Sequence, residues 1–81
     1  MKDFEKKMIE GAYNLNEQIK KTQHALQNRE RYDISNDEVF FIETNLHAMV
    51  ISHDCIIRRI EMRHLTKEYA EYVQHNSEMP F

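Results

Sequence analysis

The chain has 81 residues and a formal net charge of −3 at pH 7 with histidine neutral. It holds one glycine, one proline and one cysteine, too few turn formers for a sheet protein and too few thiols for an internal disulfide. The acidic balance argues against a general polyanion binder, although a local basic patch is compatible with it.

A chain of this length is one domain near the lower limit for an independent core, burying roughly 60% of its unfolded surface. Glu, Lys, Arg, Gln, Leu, Met and Ala are plentiful, and all favour helix. The expected fold is therefore all-α, a long antiparallel helical hairpin with a short third helix, formed by residues 1–81 as a single unit.

The first helix is predicted over about 3–28, with Asp3 as its N-cap. Phe4, Met8, Gly11 and Ala12, Leu15, Ile19, Thr22 and Leu26 form its inward stripe, which is narrow and broken by small or polar residues. Lys6, Lys7, Glu10, Glu17, Lys20 and Lys21 lie mostly off it, on a solvated face. Residues 29–34 suit a helix–helix connection.

The second helix, about 36–64, has the clearest start. Ser35 and Glu38 make an S-x-x-E capping box, and Ile34 and Val39 make the matching hydrophobic staple. Val39, Ile42, Leu46, Met49, His53, Ile56 and Ile60 then follow at alternating steps of three and four, an unbroken heptad stripe. A second strip, Phe41, Ala48, Cys55 and Met62, joined by Ile51, runs on nearly the opposite side. A helix apolar on two sides needs two neighbours. The first helix covers the heptad stripe, and the third helix with a second copy of the chain is expected to cover the rest, as a homodimer or higher bundle.

No Gly or Pro ends the second helix. Leu65, Tyr69, Tyr72 and Val73 continue an apolar pattern out of phase with the heptad. That change favours a break near Thr66 and a third helix over about 67–75, with 76–81 a frayed tail.

No signal-like apolar run follows Met1, and the lone cysteine fits a cytoplasmic, reducing setting. Charged residues from Glu43 to Arg59 exclude a bilayer span for the 39–60 segment.

His53, the polar member of the heptad, reads as a residue that fixes register, or alternatively as a pH sensor. The five histidines contain no pair at i, i+3 or i+4 and no H-E-x-x-H, so no metal and no cofactor is expected. Cys55 reads as a packing residue on the second strip, despite Arg58 and Arg59 within one turn. Arg58, Arg59, Arg63 and Lys67 form a basic cluster. It could contact an anion or an acidic partner, or simply complement a helix C-terminus. Tyr13, Tyr32, Tyr69 and Tyr72 are suited to an interface.

The stretch Tyr32–Val39 resembles part of the Hha/YmoA family of nucleoid-associated modulators, small helical proteins that bind the oligomerisation region of a DNA-silencing protein. The likeness covers 32–39 only, nearly all of it capping box and staple. The first helix is longer than in that family. The resemblance implies a partner-binding regulator.

No nucleophile–base pair and no Gly-rich phosphate loop is present, so no enzymatic activity is expected. The expected function is a small regulatory or inhibitory protein acting by protein–protein contact. Its interface would comprise Phe41, Ala48, Ile51, Cys55, Met62, Tyr69 and Tyr72. Short Asn/Lys/Ile/Glu-rich helical chains are common among phage and mobile-element proteins that block a host factor. The alternatives are an anion or nucleic-acid binder using the Arg58–Lys67 cluster and a purely structural assembly subunit.

Overall fold

A computed structural model describes residues 1–77. Three helices follow in order, α1 (Asp3–Gln27), α2 (Asn36–Met62) and α3 (Thr66–Ser77), and the described residues contain no strand. α1 and α2 pack side by side as a hairpin, and the shorter α3 folds back beside their open end. The expected frayed tail is helical at 76 and 77, and its remainder, 78–81, lies outside the described residues.

α1 begins one residue differently from the sequence expectation. Asp3 is its first helical residue, and Lys2 stands at the cap. The cause is Glu5, whose carboxylate accepts a 2.9 Å hydrogen bond from the Lys2 backbone N–H. Asp3 still serves the helix, because an acid in the first turn offsets the positive end of the macrodipole.

α2 is capped at Ser35, as its sequence dictates. The Ser35 hydroxyl oxygen accepts the Glu38 N–H at 3.2 Å. The return half of the box differs. The Ser35 hydroxyl itself donates to the Glu38 carboxylate at 3.1 Å, so no bond from Glu38 to the Ser35 amide is needed to hold that carboxylate in place.

Both chain reversals are closed by the same backbone device. After α2, His64 takes a left-handed conformation, φ 58°. The Leu65 N–H then bonds to the Ile60 carbonyl at 3.0 Å, and the His64 N–H bonds to the Glu61 carbonyl at 3.0 Å. That pair of bonds is a Schellman motif, and its usual apolar partners, Ile60 and Leu65, are both buried. After α1, a single further turn ends at Asp33, φ 53°. Ile34 N–H to Arg29 carbonyl (2.9 Å) and Asp33 N–H to Glu30 carbonyl (3.2 Å) repeat the pattern. The Arg29 guanidinium donates to the Asn36 side-chain oxygen, tying the turn to the start of α2.

The core is small and lies at one end. Ile9, Ala12, Ile60 and Leu65 are buried together, with Met8, Ile56, Ile57, Tyr69 and Tyr72 packed around them. All three helices meet there. The expected inward stripe of α1 omitted Ile9, which is only 2% exposed, and included Phe4, which is largely exposed. The reason is α3. It lies against the flank of α1 that carries Ile9, so a side chain outside the hairpin seam becomes core. Tyr13 and Tyr72 make an edge-to-face contact, centroids 5.5 Å apart, and the Tyr13 hydroxyl donates to the Asn76 carbonyl at 3.3 Å.

Towards the turn the molecule is only two helices thick. Its radius of gyration, 15.1 Å, exceeds the value of about 12 Å typical of a compact chain this long. An elongated, flat shape of this kind leaves much of α2 facing outwards.

Candidate interaction surface

The two strips of α2 have opposite fates. Val39, Ile42, Leu46, Met49, His53 and Ile56 are half-buried and Ile60 is buried, so the heptad stripe is the seam against α1. Phe41, Ala48, Ile51, Cys55 and Met62 are all exposed, Phe41 by 70% and Met62 by 79%. Phe40, not anticipated as part of this strip, is 66% exposed and touches Phe41 edge to face, centroids 5.7 Å apart.

α3 does not cover any of this face, contrary to the sequence expectation. Tyr69 and Tyr72, expected on the interface, are half-buried and packed against the Ile9, Ala12, Ile60 and Leu65 cluster. The Schellman turn at His64 decides the matter, since it sends α3 back along α1. Burial there pushes the Tyr69 phenol above its ordinary pKa. Tyr32 is exposed near the turn, with an edge contact to His24.

With the exposures known, the outer strip is a complete second heptad: Asp37, Phe41, Thr44, Ala48, Ile51, Cys55, Arg58 and Met62, at alternating steps of four and three. Every member is exposed. Thr44 does not interrupt its apolar character, because its hydroxyl donates to the Phe40 carbonyl of its own helix at 2.9 Å. Charge is confined to the two ends, Asp37 at one and Arg58 with its neighbour Arg59 at the other. The sequence reading holds five of these positions, Phe41, Ala48, Ile51, Cys55 and Met62; Asp37, Thr44 and Arg58 are not apolar and so fall outside an apolar period. The signal was present in their spacing.

The basic cluster is not uniform. The Arg63 guanidinium lies 4.4 Å from the Phe4 ring centroid and 3.5 Å from the Glu5 carboxylate, so it clips the α1 N-terminus to the end of α2. The Glu5 carboxyl is held below its usual range, chiefly by the Lys2 amide bond, with burial opposing and Arg63 assisting. Arg58, Arg59 and Lys67 are exposed and make no ion pair among the described residues.

His53 sits in the seam with Nε2 enclosed and without a hydrogen-bond partner among the described residues. Cys55 is an exposed free thiol rather than a covered packing residue of the single chain. A groove of about 390 Å³ lies between α1 and α3, lined by Met1, Lys6, Ile9, Glu10, Glu68, Glu71, Tyr72 and His75. The described residues hold no group of three or more His, Cys, Asp or Glu able to bind a metal ion. None of the described helices is long and apolar enough to cross a membrane.

Comparison with protein-family models, with curated proteins and with solved structures found no match for this chain. The functional reading therefore rests on the surface itself.

Proposed function

We propose that the chain is a small non-enzymatic regulatory or inhibitory protein that acts by protein–protein contact through the outer face of α2. The observation that carries this reading is the continuous exposure of Phe40, Phe41, Ile51 and Met62 on one helix face. Isolated surface hydrophobics are ordinary, but a contiguous apolar face with charged ends has the layout of an interface, core within rim. Large aromatic and methionine side chains are the residue types that interfaces favour. The lone thiol of Cys55 on the same face fits a reducing compartment.

The test is affinity capture from the source cell, or from its host if the chain belongs to a phage or mobile element. The tagged wild-type chain is compared with the Met62→Glu variant. At least one protein other than the chain itself should be enriched by the wild type and lost with the variant. Enrichment of the chain alone overturns the regulator reading and leaves a structural assembly subunit.

The second reading, an anion or nucleic-acid contact, is favoured by the unpaired state of Arg58, Arg59 and Lys67 among the described residues. Three cations are a thin footprint for nucleic acid. If it held, Arg58→Glu with Arg59→Glu would abolish binding that falls steeply with salt.

A further inference from the structure

We infer that the occupant of the outer α2 face is a second copy of this chain, packed antiparallel about a two-fold axis that passes between Ala48 and Ile51. The inference rests on one premise of that proposal, that this face is a contact surface, and assigns the face an occupant of its own.

The argument is self-complementarity. The outer heptad begins with an acid, Asp37, and ends with bases, Arg58 and Arg59, with no charge on the strip between them. A two-fold axis across the middle inverts the direction of one copy. It therefore sets the acidic end of each helix beside the basic end of the other. A parallel pair would instead oppose like charges at both ends, a destabilising arrangement.

The apolar positions agree with the same register. In an antiparallel pair of heptads, a and d positions of the two helices share layers. Full overlap puts Ala48 of each copy against Ile51 of the other, flanked by layers that pair Thr44 with Cys55. Ala48 faces the larger Ile51, and Thr44 and Cys55 are both small, so the two helix backbones can approach closely over these layers. The next layer sets Phe41 against Arg58 of the second copy, a cation over an aromatic face, with Asp37 one helical turn away. Phe40 and Phe41, exposed in the single chain, become anchors at both ends of the contact.

Such a contact is isologous and closed, the commonest form of soluble homo-oligomer. α2 then stands between α1 on one side and the second copy's α2 on the other, so both of its heptads are filled.

The experiment measures mass by sedimentation equilibrium for the wild type, for Ile51→Glu and for Arg58→Glu with Arg59→Glu, with helicity followed by circular dichroism. The wild type is expected to be a dimer. Ile51→Glu, at a position already half exposed, should be monomeric with unchanged helicity. The double charge reversal should weaken dimerisation roughly tenfold or more, and adding Asp37→Arg should restore it. Orientation is read separately in a Cys55→Ala background with a short bis-maleimide. Ala48→Cys should cross-link to itself. Phe41→Cys should not, because antiparallel packing holds its two copies roughly 25 Å apart along the helix.

A wild-type monomer at high concentration overturns the inference, and so does cross-linking at Phe41→Cys. If the chain is monomeric yet still captures another protein through this face, the dimer fails and the regulator reading stands. If it is dimeric and captures only itself, the dimer stands and the regulator reading fails.

Discussion

His64 and Asp33 set the shape of this chain by adopting a backbone conformation that costs most residues energy. Outside glycine, Asn, Asp and His tolerate positive φ best, and each reversal uses one of these. Replacing His64 by glycine removes the Cβ penalty at that position, partly offset by a more flexible unfolded chain. His64→Gly should therefore raise stability by about 0.5–1 kcal/mol, read as a higher midpoint in urea with an unchanged slope. A lower midpoint would show that the His64 side chain makes a contribution of its own.

Glu5 supplies the pH dependence that follows from the structure. Its folded carboxyl is held below the ordinary value, first by the Lys2 amide and, against opposing burial, by Arg63. A depressed carboxyl contributes stability that is full above its ordinary, unfolded pKa. That contribution is lost as pH falls through the lower folded value. The wild-type melting temperature should hold from neutral pH to about 5 and fall more steeply in acid than that of Glu5→Gln. Equal slopes for the two proteins would remove Glu5 from the acid response.

At the scale of elements, α2 is the one whose beginning and inner face were legible beforehand. Ser35 caps it and the heptad from Val39 to Ile60 packs inwards. Ser35→Ala should cost about 1 kcal/mol by leaving the Glu38 amide without its acceptor, measurable by chemical denaturation. Ile60→Val should cost a similar amount, about 1 kcal/mol, because Ile60 is 1% exposed at the point where all three helices meet. Ile51→Val, on the outer face, should cost the isolated chain much less. α1 was read less well. Its apolar spacing runs through Phe4 and leaves out Ile9, since periodicity identifies a seam with one neighbour and α1 has two. The break after α2 was legible only as a change of phase. Its mechanism is conformational, and neither residue in the turn, Arg63 or His64, is a conventional stop signal.

At the scale of the whole molecule, the small core and the flat outline have one consequence. Ile9, Ala12, Ile60 and Leu65 make a cluster modest for a chain whose stability is marginal by length. If the outer face of α2 is filled by a second copy, folding and association are linked, and the melting temperature should rise with protein concentration. A melting temperature independent of concentration, in a range where sedimentation shows dimer forming, would separate the two processes. The same linkage gives Met62 and Phe41 a role in stability that the single chain does not show.

What the sequence determined by itself was local and periodic. The near-absence of Gly and Pro, the Ser35 cap and the heptad of α2 specify helices, one boundary and two apolar faces, because each depends on residues a turn or less apart. The tertiary structure decided which face is left open. That choice depends on where α3 goes after His64. α3 packs on the Ile9 flank of α1, so Tyr69 and Tyr72 are half-buried against the core and Phe40, Phe41, Ile51 and Met62 stay exposed. The direction of a helix leaving a turn is set by a few backbone angles and by which buried surface it can reach, and neither is written in the spacing of apolar residues.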